Sequence, residues 1–242
     1  MGCRFCLTGS IGFKRNLTPF EIFEQVISVL RDVERQTPSD SSTRANTTHK
    51  TVTNIVLMGM GEPLENFDNV TEALKIITEL IGFSKRRITL STAGIVPKMV
   101  EFFKKAPAVN LAVSLNAPSN AVRNEIMPIN NKYPLSALLD ACKRLPIEPR
   151  RRITFEYVLL SGVNDSVYDA VEVAKILKGI KCKINIIPFN EYEGAKYKSP
   201  EEETVLAFQA ELFKRNIPSF IRKSKGQDIS AACGQLKAAY RR

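Results

Sequence analysis

The chain of 242 residues has no tryptophan, a single histidine, five cysteines and no apolar run near the ~18 residues of a membrane span. Each shortage excludes a class of function. His49 stands alone in the polar stretch Thr47-Thr48-His49-Lys50. A Ser-His-Asp triad, a Cys-His pair or a zincin site would need a better-placed imidazole. The cysteines are Cys3, Cys6, Cys142, Cys182 and Cys233, an odd count that argues against a disulfide framework. No long apolar stretch opens the chain, so a secretory signal is not expected and a cytoplasmic protein is. Catalysis, if present, has to rest on cysteine, carboxylates, amides or a cofactor.

Acidic charge is also scarce. Lys and Arg number 35 against 25 Asp and Glu, a net charge of +10. The excess is clustered: Lys14-Arg15, Lys85-Arg86-Arg87, Arg150-Arg151-Arg152, Arg222-Lys223 with Lys225, and Arg241-Arg242. A polyanion such as RNA is the natural partner of such a surface. A merely basic solvated face is the plainer alternative.

What is present is the composition of an ordinary soluble protein, 44% apolar and 25% charged. Thr18-Pro19-Phe20-Glu21 forms a capping box with proline at the first helical position. Apolar residues then recur at helical spacing to Val33, predicting a helix that ends near Arg35. Residues 36–51 are polar and rich in breakers, a surface loop. Beyond them, strands are predicted at Thr53–Met58, Arg87–Thr92, Asn110–Leu115, Ile153–Leu160, Lys183–Ile187 and Ser219–Arg222. They alternate with helices at Asn69–Leu80, Val96–Lys104, Leu135–Leu145, Ala170–Lys178 and Glu201–Arg215. Ser199-Pro200-Glu201-Glu202 reads as a second capping box. Repeated βα units with buried strands point to a parallel sheet or barrel. Unusual residues gather at the strand tips, where (β/α) barrels place their sites.

Three stretches could carry chemistry. Cys3 and Cys6 form a C-x-x-C without the preceding strand a thioredoxin motif requires. An iron–sulfur site, a zinc site and an incidental pair all stay open. In Asn54-Ile55-Val56-Leu57-Met58-Gly59-Met60-Gly61-Glu62-Pro63 an apolar strand runs into glycines and a carboxylate that could accept hydrogen bonds from an amine. A tight turn is the bland reading. In Gly226-Gln227-Asp228-Ile229-Ser230-Ala231-Ala232-Cys233-Gly234 the cysteine lies among small residues, either accessible and reactive or a small buried apolar group.

The segments GCRFCLTGSIGFKRNLT, NIVLMGMGEPLENFDNV, RRITLSTAGIVPKM, LAVSLNAPSNAVRNEIMPIN, YVLLSGVND, INIIPFN and GQDISAACGQL, in that order, resemble the RlmN/Cfr family of radical SAM RNA methyltransferases. The likeness runs through nearly the whole chain apart from residues 36–51. It implies a partial (β/α)6 barrel spanning 1–242, with a C-terminal segment, 225–242, that carries a methyl-accepting Cys233. It implies a [4Fe–4S] cluster held by C-x3-C-x2-C, with S-adenosylmethionine (SAM) chelating the fourth iron. Cys3 and Cys6 match the second and third ligands, and Phe5 the aromatic before the last. Gly61, Glu62, Ser91, Ser114 and Asn190 match SAM-binding positions. Asn116 matches one where the family often has histidine; it can hydrogen-bond but not titrate near neutrality.

The implied reaction begins with methyl transfer from a first SAM to Cys233. A second SAM, cleaved reductively at the cluster, gives a 5′-deoxyadenosyl radical that takes a hydrogen from the methyl-cysteine. The methylene radical adds to C2 of an adenine, and a second cysteine resolves the crosslink. The implied substrates are an adenine in the peptidyl-transferase centre of 23S rRNA and an adenine in tRNA. Cfr-type members attack C8 instead. A donor such as flavodoxin or ferredoxin would supply electrons. On the family pattern, the first cluster cysteine, the resolving cysteine, a first barrel strand and a small RNA-binding domain belong upstream of Met1. The sequence is therefore expected to be the C-terminal portion of such an enzyme, possessing the fold and inactive alone. An RNA-binding relic and a different radical SAM enzyme are the alternatives. Cys142 and Cys182 are expected to be packing residues.

Overall fold

The computed structural model describes residues 1–35 and 52–222. The loop expected at 36–51 and the C-terminal segment 225–242 with Cys233 lie outside the described residues. A short helix α1 (Leu7–Ile11) follows the cysteine pair, and α2 (Pro19–Arg35) follows it. Then come β1 (Ile55–Leu57), α3 (Phe67–Lys75), β2 (Ile88–Thr92), α4 (Val96–Lys105), β3 (Asn110–Ser114), α5 (Asn120–Ile126), α6 (Leu135–Arg144), β4 (Ile153–Leu159), α7 (Val167–Ile176), β5 (Cys182–Pro188), α8 (Glu202–Lys214) and β6 (Ser219–Ile221). The six strands form one sheet in sequential order, every neighbouring pair parallel. This is the expected partial α/β barrel.

Strand alternation sets its two faces. Leu111 and Val113 of β3, Phe155, Tyr157 and Leu159 of β4, and Ile184 and Ile186 of β5 join the main core under the helices. Their neighbours Ser114, Glu156 and Asn185 point the other way, into the concave side, and share one row. Helix α2 opens as the sequence predicts. Thr18 N–H donates to Glu21 Oε2 at 2.9 Å, and Glu21 N–H donates to Thr18 Oγ1 at 3.2 Å. Arg15 locks the same carboxylate at 2.6 Å and holds Glu21 down at about 2.

The second capping box does not form. Helix α8 starts at Glu202, and its N-cap Glu201 makes no side-chain cap. Ser199 lies too far upstream, and its N–H donates to Glu191 instead, at 2.9 Å. The reciprocal box is at α7, between Ser166 and Asp169. Helix α3 passes into a π-helical turn, Ile76–Leu80, where the Thr78 hydroxyl donates to the Leu74 carbonyl at 2.8 Å. Helix α5, seven residues of mostly polar sequence, has no counterpart in the sequence reading. Cys142 and Cys182 are buried packing residues, as expected; burial pushes them up to about 12 and about 11.

Candidate active site at the carboxyl ends of the strands

A second apolar cluster sits on the strand tips. Ala117, Leu160 and Phe189, just past β3, β4 and β5, pack with Ile126 and Met127. Cys3 and Phe5 lie against this cluster. Arg4 N–H donates to the Ile126 carbonyl at 2.9 Å, which docks the cysteine turn on α5. Cys6 N–H closes the turn on the Cys3 carbonyl at 3.2 Å. Burial, and then the Cys6 thiol beside it, push the Cys3 thiol up to about 11. The fold thus carries the N-terminal pair to the end of the sheet where parallel α/β proteins bind ligands.

Glu62 ties two tips together. Its Oε1 accepts from Leu64 N–H at 3.1 Å and its Oε2 from Ala93 N–H, just past β2, at 2.7 Å. Burial raises its pKa, and these hydrogen bonds partly offset the rise. The Thr92 side chain also hydrogen-bonds to it; a carboxylate has about four lone-pair sites, so the group can still accept from an ammonium. Gly61 before it has φ 93°, open to glycine. Gly94 has φ 105°, a conformation that favours glycine in the turn after β2, and a Cβ there would also press on the end of the Leu138 side chain at 2.9 Å.

Ser91 and Ser114 lie on the concave face of β2 and β3, both partly accessible. Asn190 follows Phe189 in the turn after β5 and is half-buried. Asn116 is different. It is 2% exposed in a left-handed conformation, φ 57°. Its Oδ1 accepts from Val158 N–H at 2.8 Å, and its Nδ2 reaches Met127 Sδ at 3.1 Å. The side chain is turned into the protein, bracing β3 against β4. Asn116→Gly is expected to cost about 1–3 kcal/mol for the stranded Val158 N–H. Asn116→Ala should cost about 1 kcal/mol more, because alanine is strained at that φ. Chemical denaturation of the two variants checks the order; equal stabilities would remove the backbone contribution.

Three supporting residues were not singled out from sequence. Asn164, fully buried, accepts from Leu160 N–H at 2.7 Å and donates to the carbonyls of Asn116 (2.7 Å) and Val158 (2.8 Å). Its carbonyl accepts from the Tyr157 hydroxyl at 3.0 Å. Glu156, 5% exposed, accepts from Asn185 Nδ2 at 2.9 Å, with Arg222 Nη1 at 3.8 Å; burial raises its pKa. Arg123 is 1% exposed. It donates to the carbonyls of Leu115 (3.0 Å), Ala93 (2.9 Å) and Ser114 (2.9 Å), and to Asn130 Oδ1 (2.9 Å). One guanidinium fastens the tips of β2 and β3 from above. In sequence it looks like any surface charge of a polar stretch; only its burial reveals it.

Thiolates are the donor type that iron–sulfur clusters use. Cys3 and Cys6 offer two of them. Among the described residues no group of three or more His, Cys, Asp or Glu could hold a metal ion.

The architecture is an α/β half-barrel of parallel strands with a thiol turn and an acidic glycine loop over the strand tips. Residues 1–174 match the model of the radical SAM superfamily. The chain is 50% identical over 242 residues to the dual-specificity RNA methyltransferase RlmN of Syntrophobacter fumaroxidans, covering 99% of this chain and 67% of that protein. To the protein of the same name from Syntrophotalea carbinolica it is 51% identical, covering 98% of this chain and 60% of that one. A radical SAM methyltransferase from Sphaerobacter thermophilus, solved crystallographically, superposes with a TM-score of 0.89 at 42% identity over 98% of this chain and 67% of that one. The chain belongs to the radical SAM superfamily and, within it, to the RlmN family. It spans about 60–67% of the length of these relatives.

Proposed function

We propose that this chain is the barrel portion of a SAM-dependent RNA methyltransferase that acts at C2 of adenine in 23S rRNA and in tRNA. The observation that carries the reading is the convergence at the strand tips. The cysteine turn, the Glu62 loop and the Ser91 and Ser114 strands meet there, in a chain about half identical to RlmN proteins.

In this reading Cys3 and Cys6 are thiolate ligands of a [4Fe–4S] cluster, which with SAM supplies one-electron chemistry for an unreactive C–H carbon. Glu62 receives the SAM ammonium on its remaining acceptor capacity. Gly61 lets the backbone come close, and Ser91, Ser114 and Asn190 offer hydrogen-bonding groups along the concave wall. Asn116 acts by bracing the β3 and β4 tips. Phe5 and Phe189 exclude water beside the thiols. Cys233 is the acceptor that carries the methyl carbon on its sulfur. A flavodoxin or ferredoxin is the electron donor, and the compartment is the cytoplasm. No helix among the described residues is long and apolar enough to cross a membrane.

Deleting the gene that encodes this sequence tests the assignment. Mass spectrometry of nucleosides should show 2-methyladenosine lost from 23S rRNA and tRNA, and restored when the gene is returned. Unchanged 2-methyladenosine would refute it. Loss of 8-methyladenosine instead would move the attack to C8.

A further inference from the structure

Among the described residues, the positive charge of the turns is concentrated at the end away from the site. Parallel topology puts every strand-to-helix turn at the site end and every helix-to-strand turn at the other. The helix-to-strand turns, 81–87, 106–109, 145–152, 177–181 and 215–218, contain nine basic residues and one acid, Glu148. The strand-to-helix turns, 58–66, 93–95, 115–119, 160–166 and 189–201, contain two basic residues and six acids. One end of the half-barrel carries +8 in its turns; at the site end the −4 of the turns is offset by Arg4, Lys14, Arg15 and Arg222, leaving the described residues there near neutral.

The basic turns form one surface. Asn110 Nδ2, at the start of β3, donates to the Arg86 carbonyl at 2.7 Å. Arg151 Nη1 donates to the Ala108 carbonyl at 2.6 Å. Lys181 Nζ donates to the Pro149 carbonyl, and the Lys181 carbonyl accepts from Ile153 N–H at 3.1 Å. These bonds join the turns before β2, β3, β4 and β5 into a continuous rim. Lys85, Arg86, Arg87, Arg150, Arg152 and Lys178 are exposed and make no ion pair with any described residue. Helix dipoles account for cations in a helix's last turn, such as Lys105 and Arg144. They do not account for the two triplets: Lys85–Arg87 form a single isolated 3-10 turn, and Arg150, Arg151 and Arg152 lie beyond the end of α6, where the effect has faded.

We propose that this rim, at the end of the half-barrel opposite the site, is a docking surface for the phosphate backbone of folded RNA. The inference rests on the RNA reading above and adds a second contact region to it. At ~3.3 Å per residue, seven-residue β4 separates the two ends by roughly 20 Å. A small ligand at the site cannot reach the rim, whereas a structured RNA can touch both. Phosphate contacts from Lys and Arg position a large substrate without reading its sequence. An electron-donor protein would need the site end, where the cysteine turn lies.

The test uses the 242-residue chain and a fluorescein-labelled RNA stem–loop, followed by anisotropy from about 50 to about 200 mM KCl. A rim variant carries Lys85→Gln, Arg86→Gln, Arg150→Gln and Arg152→Gln. A charge-matched control carries Arg31→Gln, Arg35→Gln, Lys75→Gln and Lys132→Gln. The rim variant should bind at least about tenfold more weakly, and its log–log salt slope should fall by about 3, while the control stays near wild type. Equal losses in both variants, or a rim variant within twofold of wild type, overturn the proposal and leave the methyltransferase reading standing. A wild-type chain that binds no RNA overturns the proposal, while the nucleoside measurement on the deletion strain decides the methyltransferase reading separately. Lost affinity for poly-L-glutamate with RNA binding retained would assign the rim to an acidic protein, against the proposal.

Discussion

Cys233→Ala at the gene's own locus is expected to reduce 2-methyladenosine in 23S rRNA and tRNA to the level of the deletion strain. The reason is the carbon under attack. C2 of adenine is electron-poor and not a nucleophile, so it cannot take a methyl group directly from a sulfonium. In the proposed function the methyl carbon is first carried on the Cys233 sulfur and activated there, and sulfur suits that step because a thiolate is a strong nucleophile. Cys233→Ser should be equally inactive, since a hydroxyl offers no comparable anion near neutrality. Loss of a covalent step is not partial, so product below detection is expected rather than a slower rate. Nucleoside mass spectrometry, with immunoblotting to show equal protein levels, is the measurement. Product above half the wild-type level in either variant would take Cys233 out of the mechanism.

Arg123→Met should have the largest effect on stability. The substitution leaves the carbonyls of Ala93, Ser114 and Leu115 and the Oδ1 of Asn130 without this donor. Each stranded buried acceptor costs about 1–3 kcal/mol, and partial relaxation brings the total to about 3–5 kcal/mol. That is a large share of the ~5–15 kcal/mol by which a domain is stable. For a chain of this size the melting temperature should drop by roughly 10–15 °C. Arg123→Lys keeps the charge, but a single ammonium cannot serve four acceptors arranged around a planar fork, so an intermediate loss is expected. Desolvation lowers Arg123 to about 10, which leaves it charged at neutral pH, so the cost does not depend on pH there. Calorimetry of the three proteins decides; an Arg123→Met protein that melts within 3–4 °C of wild type (about 1 kcal/mol) would show that the clasp is dispensable.

The same residue shows where sequence reasoning stops. The six described strands were legible, because runs such as Ile153–Leu159 and Cys182–Pro188 are rich in β-branched and large apolar residues and are followed by turn residues. Helix α2 was legible from its cap and its stripe of Phe23, Val26 and Leu30. Helix α5 was not, because Asn-Ala-Val-Arg-Asn-Glu-Ile has too few turns for a periodicity, and its helix is held by the Ser119 cap and the buried Arg123. The missed box at Ser166 and the false one at Ser199 have one cause. Spacing shows which residues could cap, but competing partners such as Glu191 decide which do.

From the sequence come the parallel βα order and, through the resemblance to a family, Cys3, Cys6, Glu62, Ser91 and Ser114 as expected site residues. These follow from patterns local to a few residues, or from motifs whose order survives without coordinates. Tertiary structure decided the rest. It turned Asn116 inward to brace two strands, made Arg123 and Asn164 the fasteners of the tips, and separated the basic rim from the site. Those outcomes depend on which groups lose water together when distant segments meet, and burial of that kind is a property of the packed chain, not of any stretch of it.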